Sequence, residues 1–179
     1  MKKNIAIFIS GRGSNMVALL KNIKEGILKD LCRVELVFSN KPDAAGLKIE
    51  QREVFDQEVV DYLKDYNLDY IVLAGYMRIL SPVFISAYRN KIINIHPADT
   101  DEFKGVGAYE WAFENKMDFT KITVHFVDEG VDTGPVIGKQ VVDLRGCKTL
   151  EEVEKIGLAT EHAFYSEALR RVFSGEFKI

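Results

Sequence analysis

Hydrophobic positions along this chain switch repeatedly between two periods. In "NIAIFIS" (residues 4–10) they run almost unbroken, as in a strand covered on both faces. After Gly11 and Gly13 the period lengthens. Met16, Leu19, Leu20 and Ile23 fall at i, i+3, i+4 and i+7, one stripe of a helix. "VELVFS" (34–39) reads as a second strand, followed by a helix with Phe55, Val59, Tyr62 and Leu63 on one face. Strands "YIVLAG" (70–75) and "KIINI" (91–95) come next, then a short helix "YEWAFEN" (109–115). "KITVHFVD" (121–128) and "PVIGKQVVDL" (135–144) predict a strand pair, joined by a turn containing Gly130 and Gly134. A last helix spans about 149–173. Strands alternating with helices predict an α/β fold, with a mostly parallel central sheet and helices on both faces. Residues 41–68 must connect two strands but show no β-rich run. The sheet is therefore expected to lack a strand at this edge, unless the chain is short of residues near Glu50.

Composition changes this picture little. The length of 179 residues fits one domain, with 47% hydrophobic and 28% charged residues. Lysine and arginine total 24 against 27 acidic residues, a net charge of −3. That balance argues against broad capture of nucleic acid or of an anionic membrane. Cys32 and Cys147 form no CxxC or CxxH spacing, so neither a disulfide framework nor a structural zinc site is expected, and a reducing cytoplasm fits. The apolar run of residues 5–9 is too short for a signal-peptide core, and no stretch approaches the ~20 residues of a membrane span.

Two places carry candidate chemistry. "SGRGSN" (10–15) lies between a buried-type strand and an amphipathic helix, where free backbone N–H groups attract anions. It reads either as a phosphate cradle or as a tight, well-capped turn, and it matches neither a Walker loop nor a full GxGxxG. "INIHP" (93–97) places Asn94 and His96 on the same face of a strand, at the carboxyl end, where open α/β sheets bind ligands. Asparagine offers an N–H to an oxyanion, and histidine moves protons near neutral pH. Asp132, in the turn "VDEGVDTGP" (127–135), joins them if its carboxylate reaches His96, where it would favour the charged imidazole. Asp128 and Glu129 read as solvated turn residues, and His125 as a structural hydrogen-bonding residue in mid-strand. On the last helix Gly157, Glu161, Phe164 and Ala168 share a face, so a carboxylate interrupts an apolar stripe and wants a partner.

"SGRGSN", "VLAGYMRILSP", "INIHP", "TVHFVDEGVDTGPVI" and "TEH", in this order, resemble the phosphoribosylglycinamide formyltransferases of purine synthesis. The resemblance covers most of the chain and implies a Rossmann-like formyltransferase fold, as a single domain over 1–179. It implies formyl transfer from 10-formyltetrahydrofolate, as co-substrate, to the amine of glycinamide ribonucleotide. By position, Asn94, His96 and Asp132 would be catalytic. Gly13, Ser14 and Asn15 would hold the ribonucleotide phosphate, and Glu161 its ribose. Met77, Arg78, Ile79 and Leu80, with Asn94, would line the folate site, and Arg52 would meet the folate glutamate. From the residues alone, Arg52 and Arg78 read as solvated cations. The expected enzyme is cytoplasmic, works without a metal, and has no nucleic-acid polymer or membrane as partner; its oligomeric state is not set.

The chain departs from the family pattern after "NIHP". The family continues with a Ser-Leu-Leu-Pro-like loop and then a histidine. Here "ADTDEFKGVGAYEW" is acidic, with Gly107 at the histidine's place, and Lys121 replaces a common glycine. That loop leaves open a different acceptor, an amino sugar nucleotide or water, as in formyltetrahydrofolate hydrolases. Asp99 and Asp101 lack the third spaced ligand of a metal site.

Overall fold

The computed structural model describes residues 1–11, 13–40, 49–177 and 179, and of residues 49–52 the backbone alone. Strands β1 (Lys3–Ile9), β2 (Cys32–Ser39), β3 (Tyr70–Leu73), β4 (Ile92–His96), β5 (Phe119–Phe126) and β6 (Val136–Asp143) form one sheet, in the order β2-β1-β3-β4-β5-β6. The first three pairings are parallel, and β5 and β6 add on antiparallel, completing a mostly parallel α/β sheet. Helices α1 (Ser14–Glu25), α2 (Ile49–Leu63), α3 (Pro82–Ala87), α4 (Ala108–Glu114) and α5 (Leu150–Phe173) cover it.

The pleat sends alternate residues to opposite faces. Ile5, Ile7, Val72, Ile93 and Ile95 pack with Leu19 of α1, Ala112 of α4 and Leu169 of α5. Ala6, Phe8, Ile71, Leu73 and Ile92 pack with Val59 and Leu63 of α2 and Phe84 of α3. Asn94 and His96 share the parity of Ile92, so they leave on the α2/α3 side at the strand's carboxyl end.

Helix α5 begins at a full capping box, in which the Thr149 side chain accepts from Glu152 N–H and Glu152 returns the bond. Its Tyr165 is fully buried, and the hydroxyl lies 2.9 Å from the Leu73 carbonyl and 3.1 Å from that of Ile93. The helix is thereby tied to the strand ends that border the site.

Several local expectations need correction. Leu20 and Tyr62 are exposed, and Tyr62 instead hydrogen-bonds Tyr66. On α5 Tyr165, one position beyond Phe164, carries the fully buried face. Helix α3 was not expected; it starts at Pro82 behind the Ser81 cap. Of residues 41–68, the stretch 49–66 is helical, and 41–48 lie outside the described residues.

Candidate active site

The β4–β5 register sets Asn94 opposite His125 and His96 opposite Thr123, so both histidines face the same side. His96 is 4% exposed, ending its strand before Pro97. Its Nε2 lies 3.0 Å from the Phe103 carbonyl, which requires a proton on that nitrogen. Its Nδ1 lies 3.4 Å from Asp132 Oδ2. His125 Nδ1 lies 2.8 Å from the Phe126 carbonyl, leaving Nε2 to face Asp132 Oδ1 at 3.4 Å and the Asn94 amide at 3.5 Å. His125 thus joins the constellation rather than serving the strand alone. Mid-strand position gave no signal of this; pairing with Asn94 did.

Asp132 sits at φ 52°, a left-handed conformation that aspartate and asparagine tolerate better than most residues. The carboxylate also accepts the Gly105 N–H at 2.8 Å. Burial raises its pKa, but the His125 hydrogen bond, the Gly105 amide and the two imidazoles outweigh burial and hold it below the ordinary value. For His96 the balance is reversed from expectation. Burial lowers the imidazole pKa by more than Asp132 and the Phe103 carbonyl raise it. The resting ring is therefore biased to the neutral form, with Nδ1 as the nitrogen left to exchange a proton beside a carboxylate.

Loop 98–107 frames this group. Asp99 is buried and ion-paired to Lys139 and, at 2.6 Å, to Lys121; Lys139 also meets Asp101 at 2.6 Å. Burial raises the Asp99 pKa, yet the two ammonium groups hold it down at about 2. Asp99 and Asp101 are thus lysine partners, and Lys121, which departs from the family pattern, supplies one of those lysines. Among the described residues, no group of three or more His, Cys, Asp or Glu side chains is placed to hold a metal ion.

The glycine turn follows β1, at the same carboxyl edge of the sheet and two strands from β4. Gly13 caps α1 at φ 71°, where a side chain would be strained. The first intrahelical bond runs from Val17 N–H to the Gly13 carbonyl, so among the described residues the amides of Ser14, Asn15 and Met16 have no helical acceptor. The Asn15 side chain turns inward: its Nδ2 donates to Glu161 Oε2 at 2.7 Å, and its Oδ1 is buried without a hydrogen-bond partner among the described residues. Glu161 is 5% exposed, and its other oxygen accepts the Tyr109 hydroxyl. Burial pushes the Glu161 carboxyl pKa up despite these two donors. Tyr109 fits there because Gly157 has no Cβ to meet its ring.

The segment after β3 is held to the turn, with Ser10 N–H donating to the Gly75 carbonyl at 3.1 Å and Met77 N–H to Ser10 Oγ at 2.8 Å. Met77 and Ile79 are exposed, at 75% and 61%, whereas Leu80 packs in the α2/α3 core. Arg78 is no solvated cation. It pairs with buried Asp56 at 3.0 Å and lies 4.2 Å over the Phe55 ring, while Asp56 also accepts Ser81 N–H at 2.7 Å. Arg52 lies in α2 and its side chain is outside the described residues.

The formyl transferase family model matches residues 48–169. The phosphoribosylglycinamide formyltransferase of Bacillus subtilis is 32% identical, over 95% of this chain and 94% of its own length. A trifunctional purine biosynthetic protein adenosine-3 of Chironomus tentans is 35% identical over 99% of this chain, which spans 14% of that longer protein. The crystal structure of phosphoribosylglycinamide formyltransferase from Bacillus halodurans superposes with a TM-score of 0.88 at 35% identity, covering 98% of this chain and 97% of that one. These likenesses converge: the chain belongs to the formyl transferase family, among the phosphoribosylglycinamide formyltransferases.

Proposed function

We propose that this protein transfers the formyl group of 10-formyltetrahydrofolate to the amine of glycinamide ribonucleotide, as a single catalytic domain over residues 1–179 in the cytoplasm. The observation that carries the reading is the meeting of His96 and Asp132, 3.4 Å apart from segments distant in sequence, beside Asn94. The amides of Ser14 to Met16 suit the phosphate, which ordinary helix–anion attraction favours. Asn15 contributes its backbone N–H there, because its side chain is engaged by Glu161. Glu161 in turn fixes Asn15 and Tyr109 at the nucleotide side. Exposed Met77 and Ile79 offer an apolar surface suited to a flat pterin. Bound folate supplies the activated formyl group.

As the amine attacks, charge develops on the formyl oxygen, and the Asn94 amide can donate to it. One such donor is worth ~3 kcal/mol in comparable sites. His96, its Nε2 tied to a carbonyl, takes the amine proton at Nδ1, where Asp132 stabilises the resulting imidazolium, and His96 then gives that proton to the leaving folate nitrogen. General acid–base help of this kind gives roughly 10²–10⁴-fold. The test is to follow the formyl group and folate absorbance with and without glycinamide ribonucleotide. Transfer that requires the ribonucleotide supports the reading. Formate release without an acceptor, or transfer to an amino sugar nucleotide in its place, overturns it.

A further inference from the structure

The acidic loop after β4 does more than line the site, and its role is legible from one buried carboxylate. Asp99 is 3% exposed and clamped between Lys121 of β5 and Lys139 of β6. Around it the chain closes a turn: Glu102 N–H and Phe103 N–H both reach the Asp99 carbonyl at 2.9 Å, and Asp101 N–H reaches its side chain at 3.1 Å. Thr123 Oγ1 holds the turn's entry through the Ala98 carbonyl at 2.7 Å. Two products of that turn touch the catalytic pair directly. The Phe103 carbonyl is 3.0 Å from His96 Nε2, and Gly105 N–H is 2.8 Å from Asp132. Phe103 also lies parallel to the His96 ring and stacks on Trp111.

We propose that Asp99 is a positioning residue: clamped by Lys121 and Lys139, it folds loop 99–105 so that Phe103 fixes the tautomer and orientation of His96 while Gly105 fixes Asp132. The inference rests on the catalytic reading of His96 and Asp132. The charges facing the loop are Lys121 and Lys139 from the sheet and Asp101 and Glu102 from the loop itself; those facing His96 are Asp132 and His125. Two lysines against two aspartates make the clamp neutral, so it orients the loop without adding net charge to the site. Misplacing a catalytic group by about 1 Å costs up to roughly 100-fold, so a loosened loop acts on turnover more than on binding.

The test compares wild type, Asp99→Asn, Lys121→Met and Lys121→Arg in the ligand-free protein, reading the imidazole ¹⁵N shifts of His96, and then in turnover. Asp99→Asn is expected to mix the His96 tautomers and to lower kcat roughly 10- to 100-fold with a smaller change in KM. Lys121→Met changes both readouts less, and Lys121→Arg restores them. A folded Asp99→Asn with the wild-type tautomer and kcat overturns the proposal. If Asp99→Asn does not fold, an unchanged tautomer in Lys121→Met overturns it, because Lys121 is 43% exposed and dispensable to the core. The ring signature needs no substrate. A tautomer change in a protein that transfers no formyl group therefore leaves the clamp standing and removes the functional reading alone.

Discussion

Replacing Asp132 with asparagine isolates the carboxylate charge while preserving its shape. Asparagine tolerates the left-handed backbone at φ 52°, and its Oδ1 can still accept the Gly105 N–H. What disappears is the negative charge 3.4 Å from a nitrogen of each of two imidazoles. At an effective dielectric near 20, one unit pair at that distance is worth ~5 kcal/mol before desolvation is subtracted. The burial that lowers the His96 pKa shows that desolvation takes a large share. If about 3 kcal/mol of the pairing survives in the transition state, where His96 is charged, turnover falls on the order of 100-fold. Steady-state kinetics at saturating substrates measures the fall, and calorimetry with the ribonucleotide checks that its Kd stays within about twofold. Turnover within about threefold of wild type in a folded Asp132→Asn protein would refute the assigned role.

Other consequences reach beyond His96 and Asp132. Arg78→Met strands the Asp56 carboxylate, whose side chain is 1% exposed, and should cost ~3–5 kcal/mol in denaturant unfolding. A guanidinium serving folate alone would instead raise the folate KM and leave stability unchanged. Gly157→Ala drives a methyl into the Tyr109 ring, so about 1–3 kcal/mol of stability is lost and Tyr109 leaves Glu161, which tyrosine fluorescence and kinetics with the ribonucleotide both register. Asp99, depressed from the ordinary 3.8 to about 2, contributes stability that is complete above its unfolded pKa and is lost as pH falls toward about 2. With half-exposed Lys121 screened by solvent, that share is about 1–2 kcal/mol, and Asp99→Asn should flatten the pH dependence of unfolding between about pH 4 and 2.

Much of the fold was legible because its strands and helices have distinct periods. The β1 run, the β5–β6 pair and the capped α5 all announce themselves locally, and Asn94 and His96 share a face by simple alternation. Helix α3 was not legible, since six residues opening on a proline hold too few turns to show a period. Contacts between remote segments were the other gap. His125 looks structural until the β4–β5 register sets it against Asn94. Arg78 looks like a solvated cation until α2 brings Asp56 beneath it. Asp99 and Asp101 look like loose acidic residues until β5 and β6 present two lysines, and Glu161 looks unpartnered until α4 delivers Tyr109. Each of these depends on tertiary pairing, which periodicity does not encode.

In the proposed complex, a phosphate at the glycine turn delivers an amine to Asn94, His96 and Asp132. A crystal structure with glycinamide ribonucleotide and a folate lacking a transferable formyl group tests it most directly. The phosphate is expected on the backbone amides of Ser14, Asn15 and Met16, and the amine within hydrogen-bond reach of His96 Nδ1. A phosphate bound elsewhere, or an amine directed away from that imidazole, would contradict it.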